Sequence, residues 1–230
     1  MIDNTLDNYI TEVIRKNNDD KESSHKKSGK LSASKLSWPL QWQVLDRLGV
    51  ETKPMDDYVL RKFVRGVQVE KWLISQMPDV VDSQKFIEYN GVVGYVDALL
   101  KTDTGTVPHE IKSVANMKFK RIETAKQPDD AHALQAGLYA MALDSEMFYI
   151  DYVSSDDLRI LSFCLYTKEY KNRINNIINI YNKAIEDKVI PVFEPLYDWQ
   201  KDFKYSSYPE WMDLNEEEIR LKAKRLNIKY

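Results

Sequence analysis

Cysteine is nearly absent from this chain of 230 residues, with Cys164 the only one. That excludes an internal disulfide and any metal site built from several thiolates. Cys164 sits in an apolar stretch that reads as a buried strand, so an inert core thiol is the expectation. No apolar run approaches the roughly 20 residues that cross a bilayer. The N-terminus has neither the basic start nor the apolar stretch of a signal peptide, so no membrane association and a cytoplasmic location are expected. Excess positive charge is also missing. Lys and Arg number 33 against 36 Asp and Glu, giving a net charge of −3. Bulk attraction to nucleic acid is thereby disfavoured, although a local basic groove is not, because screening keeps the relevant field short. No P-loop lysine motif is present, so the chain is not an ATP-driven machine by itself.

What is present suits one globular domain with a sizeable core, since 43% of the residues are hydrophobic. Helical spacing runs through residues 1–16. Residues 17–35 are polar and aperiodic and read as a mobile linker. The resulting division is an N-terminal helix and linker over 1–35 and a single domain over 36–230. A short helix ends at Gly49, and a longer one is stopped by Pro78. Two strands flank Asn90-Gly91, a strong hairpin signal. Another strand follows Asp103-Thr104-Gly105. A helix over 130–143 has Asp130 as its N-cap, and a second hairpin and a long amphipathic helix come next. The order predicts an α/β fold, a mixed central sheet flanked by helices with an N-terminal helical portion.

Asp97, Glu110 and Lys112 carry the chemical signal. A two-residue turn at Asp103-Thr104 pairs Thr102 with Gly105 and, counting back along both strands, Asp97 with Glu110. Two facing carboxylates repel, so they require a compensating cation. Lys112 lies two residues beyond Glu110 and shares its face. The opposite face, with Val96, Ala98, Leu100, Val107 and Ile111, reads as core. Hard oxygen ligands select Mg²⁺ or Mn²⁺, which stabilises charge on a phosphoryl oxygen and acidifies water. Lys112 would orient or help deprotonate the attacking water, or offset charge in the transition state. A surface hairpin with cross-strand ion pairs is the plainer explanation of these three residues, and the commoner one.

The wider string is Gly94-x-x-Asp97, then Glu110-Ile111-Lys112, then Gln135-x-x-x-Tyr139. It resembles the PD-(D/E)XK nuclease superfamily, and within it the RecB-like branch that includes CRISPR-associated adaptation exonucleases, over roughly residues 34–212. The resemblance implies a restriction-endonuclease-like core and a Mg²⁺- or Mn²⁺-dependent deoxyribonuclease. Asp97 and Glu110 would bind metal with the carbonyl of Ile111, and Lys112 would be the catalytic lysine. Gln135 and Tyr139, one helical turn apart, would border the DNA backbone; a half-buried tyrosine bonded to a glutamine explains them equally well. Glu70 stands where RecB-like enzymes often have a helix histidine and would complete the carboxylate cluster; a solvated helix glutamate is the competing explanation. His132 shares a face with Gln135 and reads as a helix-surface histidine.

Many relatives hold an iron–sulfur cluster through cysteines, most of them near the C-terminus. Phe203, Ser206 and Met212 occupy those positions here, and none replaces a thiolate. No cluster is therefore expected, with Trp199, Phe203, Tyr205, Tyr208 and Trp211 packing in its stead. Stacking of bases on these rings is the sharper alternative. Lys118, Lys120 and Arg121 would line a phosphate groove, unless they merely decorate a solvated loop. The implied substrate is DNA, with single-stranded ends as the family tendency, in repair, recombination, phage replication or defence. A helicase or recombination partner is compatible with that role. An endonuclease on the same core, or a non-catalytic DNA-binding scaffold, are the alternatives.

Overall fold

The computed structural model describes residues 5–25, 29–103 and 105–228. Helix α1 (Thr5–His25) leads into the short strand β1 (Leu31–Ser32), a 3-10 turn over Ala33–Lys35, and α2 (Leu40–Arg47). The linker expected over residues 17–35 is thus corrected. The helix continues to His25, and Leu31 and Ala33 are buried in the main core. Residues 26–28 of that stretch lie outside the described residues. Helix α3 (Asp57–Gln76) is capped by the Asp56 side chain, which accepts from the Tyr58 amide, and it stops before Pro78 as expected. Arg15–Asp57 and Arg61–Asp7 ion pairs join α1 to α3.

Strands β2 (Val80–Tyr89) and β3 (Val92–Thr102) form the expected hairpin. Both Asn90 and Gly91 have positive φ, at 47° and 81°, as a two-residue turn matching strand twist demands. Strand β4 (Gly105–Val114) runs back against β3, with Thr102 opposite Gly105. The turn therefore has two residues, of which Thr104 lies outside the described set. Helices α4 (Asn116–Ala125) and α5 (Asp130–Ala142) make the crossover to β5 (Met147–Ser154), which is parallel to β4. Strand β6 (Ile160–Tyr166) closes a second hairpin before α6 (Thr167–Glu186). Residues 190–213 contain three 3-10 turns, and α7 (Glu216–Arg225) follows with a capping box at Asn215 and Glu218. Among the described residues no helix is long and apolar enough to cross a membrane.

The six strands form one mixed sheet in the order β1-β3-β4-β5-β6, with β2 on the other side of β3. Helix α5 is apolar almost all round because it is enclosed between the sheet and α6. Leu134, Leu138, Ile174 and Ile178 pack there on Ile87, Val96 and Leu99. On the other face α3 sets Val69 and Leu73 against Ile111 and Val153. A second core gathers around Trp42, with Ile190, Tyr208, Trp211 and Ile219.

Several expectations give way here. The N-cap of α5 is Asp129, one residue before the expected Asp130. The stretch carrying Lys118, Lys120 and Arg121, for which a solvated loop was one alternative, is helical, with Phe119 and Ile122 burying one face of α4. Cys164 is exposed, since β6 turns Leu161, Phe163 and Leu165 inward and the residues between them outward. Of the five C-terminal aromatics only Tyr208 and Trp211 pack in the core; Trp199, Phe203 and Tyr205 stay exposed.

The Trp42 core allows a direct test. Truncation to alanine removes a fully buried indole and should cost about 3–5 kcal/mol. Its Nε1 is buried with no hydrogen-bond partner, so Trp42→Phe strands no polar group and should cost clearly less. Urea unfolding of both variants checks the order.

Candidate active site

Strand β3 has partners on both edges, and on one of them there is a gap. Strand β1 pairs with Val92 and Val93, and β4 pairs with Ala98 through Thr102 on the same edge. Residues 94–97 between them have no strand neighbour there. Strand β4, past His109, leaves β3 and pairs with β5 instead. Asp97 and Glu110 sit where the two strands part, in the register expected for them but one step beyond the last paired residues.

The strand is also irregular at this point. Val92, Gly94 and Val96 face α5, and so does Leu99, so alternation is interrupted around Asp97. Gln84, which the β2–β3 register would set opposite Asp97, is skipped in the ladder and has φ of 52°. The expected single core face carrying both Val96 and Ile111 is therefore replaced by two. Val96 packs toward α5, whereas Ile111 packs toward α3. The break lets Asp97 accept a hydrogen bond from the Ile111 amide at 2.7 Å while Gln84 donates to it at 3.4 Å.

Three acidic groups meet around this gap. Glu110 is 1% exposed, and its Oε1 is ion-paired with the Lys112 ammonium. Its Oε2 is buried with no hydrogen-bond donor. Burial and then repulsion from Asp97 push the Glu110 carboxyl up to about 8, against the pull of Lys112. Glu70, from α3, is raised to about 7 by burial and by Asp97. Burial likewise raises Asp97. Burial disfavours charge on Lys112, but Glu110 and Asp97 outweigh it and hold the ammonium more firmly protonated. The Gln84 amide nitrogen stands between two carboxylates, donating to Glu70 Oε1 at 2.6 Å as well as to Asp97.

Among the described residues no three His, Cys, Asp or Glu side chains already converge as a ligand cage. Yet the donor set fits a hard divalent cation. It offers carboxylate oxygens, one of them an orphan, and the mutual repulsion of the carboxylates is offset in part by Lys112, the Gln84 side chain and the Ile111 amide. Of Ile111, the structure shows the amide at Asp97.

Helix α5 supports the site from behind. Lys112 Nζ donates to Gln135 Oε1 at 3.3 Å, and Gln135 Nε2 donates to the Tyr139 hydroxyl at 2.9 Å. Tyr139 is 3% exposed, and its hydroxyl also bonds the backbone of Tyr95. Of the two readings of Tyr139, its burial and its bond to Gln135 fit the tyrosine bonded to a glutamine, in a chain of contacts that reaches Lys112. Gly94 explains why the first and third motifs occur together. A Cβ there would come within 2.7 Å of the Tyr139 ring and 3.1 Å of Ala33.

The basic residues are differently placed. Lys118, Lys120 and Arg121 lie on α4, not on a loop. Lys118 and Arg121 pair with Asp129 at the start of α5, and Lys120 is exposed. His132, expected on the helix surface, is part-buried. Its Nδ1 meets the Tyr152 hydroxyl at 2.9 Å. Burial first, then the charges of Lys112 and Lys118, hold the imidazole well below its usual range, hence neutral. Gln84 was missed altogether, because a lone glutamine in a strand carries no motif.

No family model matches the chain, and no curated protein matches it. Solved structures do resemble it. One is an alkaline exonuclease, LHK-Exo, from Laribacter hongkongensis, with TM-score 0.55 and 14% identity over 70% of this chain and 89% of that one. The same enzyme in complex with dAMP gives 0.54. A further crystal structure, SSO0001, reaches 0.61 at 16% identity over 89% of this chain and 96% of that one. The chain shares the fold of these structures, an exonuclease among them. In its own mixed sheet, Asp97, Glu110 and Lys112 lie where β3 and β4 part.

Two substitutions probe this geometry. Gly94→Val should displace Tyr139 and cost about 1–3 kcal/mol by overpacking, read as a fall in Tm. Gln84→Ala leaves Glu70 and Asp97 facing each other unbridged. In EDTA it should lower stability by about 1 kcal/mol, the site being partly open to solvent.

Proposed function

We propose that this chain is a metal-dependent DNA nuclease, with the buried Glu110–Lys112 pair beside Asp97 as the observation that carries the reading. Glu70, Asp97 and Glu110 would hold Mg²⁺ or Mn²⁺ with the carbonyl of Ile111. When bound, the ion supplies positive charge against the phosphodiester and makes water more acidic. Lys112 acts as a point charge over the same gap. Its ammonium is fixed by Glu110 on one side and Gln135 on the other, so little reorganisation is needed when charge develops on the phosphate. Gln135 and Tyr139 keep that lysine in place. Lys120, exposed on α4, and the Lys118 and Arg121 pairs on Asp129 supply phosphate contacts alongside.

Exonucleolytic action on DNA ends is favoured over internal cutting, supported by the likeness to an alkaline exonuclease crystallised with dAMP. The RecB-like branch, a role in repair or recombination and a helicase partner belong to the same proposal. They rest on the motif string Gly94-x-x-Asp97, Glu110-x-Lys112 and Gln135-x-x-x-Tyr139.

The test is cleavage of 5′- and 3′-labelled DNA, single- and double-stranded, in Mg²⁺, Mn²⁺ or EDTA. Wild type should produce a metal-dependent ladder. Asp97→Asn and Lys112→Ala should each lose at least about a hundredfold in rate while retaining the wild-type circular dichroism spectrum. Cleavage by either variant at the wild-type rate would remove the assignment.

A further inference from the structure

Phe86 and Tyr95 are direct cross-strand partners on β2 and β3, with ring centroids 5.4 Å apart and planes at 63°. Their neighbours Ile87 and Val96 are buried on the α5 side. The two rings point the other way and stay open, at 52% and 46% exposure. Helix α3 covers that face of the sheet at Ile111 and Val153 but leaves this pair free. Gly66, one turn before Glu70, meets nothing within 4 Å on its side-chain side, so the helix wall next to the glutamate is clear as well.

Position makes this pair more than a hairpin clasp. Gln84 and Asp97 lie two residues along the same two strands, about 6.6 Å away. Gln84 is the residue that joins Asp97 to Glu70. The rings thus lie beside those carboxylates on the same hairpin. A nucleic acid strand advances about 3.4 Å per stacked nucleotide, so the rings fall one or two nucleotides from the phosphate at the carboxylates. Bases inside a duplex are stacked on both sides and offer no free face. An unpaired base does, and an aromatic surface receives it whatever its sequence.

We infer that Phe86 and Tyr95 form a stacking shelf for an unpaired base of the substrate strand, next to the phosphate being cut. This rests on the nuclease reading and assigns the pair a role in substrate choice. The backbone of Tyr95 is tied to the Tyr139 hydroxyl, so the shelf and the Lys112 support share one anchor.

The test is an anisotropy titration of the full chain with fluorescein-labelled oligothymidylate in Ca²⁺, with a gel to show that the DNA stays intact. A parallel titration uses a strand containing 2-aminopurine, whose emission is quenched by stacking. Phe86→Ala and Tyr95→Ala should each weaken single-strand binding about five- to a hundredfold and relieve the quenching. Blunt duplex and an abasic strand should bind these variants as they bind wild type. Phe86→Trp, which restores a ring, should restore affinity. Unchanged single-strand binding, or an equal loss on the abasic strand, would overturn the shelf. Cleavage in Mn²⁺ by the same wild-type preparation separates the two readings. A chain that binds in a ring-dependent way without cutting keeps the shelf and refutes the nuclease. One that cuts while binding independently of the rings refutes the shelf alone.

Discussion

Glu110 is a carboxyl group sealed from water, and the rest of the site follows from keeping it there. Its Oε2 has no hydrogen-bond donor, and its one charged partner, Lys112, lies two residues away on the same strand. A buried acid so poorly compensated is a standing cost unless something positive arrives. The fold concentrates that cost at a single point, where β3 and β4 part and Asp97 and Glu70 add further negative charge. Gln84 and Lys112 hold the carboxylates together without neutralising them. Such an arrangement suits binding a cation better than it suits stability.

The supporting structure is correspondingly rigid. Lys112, Gln135, Tyr139 and the backbone of Tyr95 form one continuous chain of polar contacts from strand to helix and back to strand. Gly94 permits it by leaving room for the Tyr139 ring. Helix α5 is immobilised in turn by burial between the sheet and α6. The motif Gly94-x-x-Asp97 and the motif Gln135-x-x-x-Tyr139 are therefore two sides of one contact. Their joint presence in the sequence has a packing reason besides a chemical one.

Much of this was legible in the residues, for identifiable reasons. Asn90-Gly91 fixed one hairpin because only a turn with positive φ at both positions fits it. A two-residue loop after Thr102 fixed the β3–β4 register and so brought Asp97 to Glu110. What stayed hidden has reasons too. The interruption at Asp97 and Gln84 leaves no mark in composition, because a skipped pairing depends on tertiary contacts with α3 and α5. The charged continuation of α1 has no apolar stripe to reveal a helix. Helix α4 shows its buried face through only Phe119 and Ile122. Trp199, Phe203 and Tyr205 look like Tyr208 and Trp211 in sequence, yet only the latter two reach the Trp42 core. Cys164, expected in the core, faces outward because Leu161, Phe163 and Leu165 take the inward positions of β6.

The central claim is that the carboxylates of Glu70, Asp97 and Glu110 form a cation site completed by a divalent ion. Thermal unfolding of the metal-free protein, repeated over a Mn²⁺ titration, tests it without reference to any substrate. A ligand that binds only the folded chain stabilises it by about 2.7 kcal/mol at a hundredfold excess over its dissociation constant. Wild type should show a saturable rise in Tm of several degrees, and Glu110→Gln should show almost none. A wild-type Tm indifferent to millimolar Mn²⁺, or an equal rise in Glu110→Gln, would contradict the account.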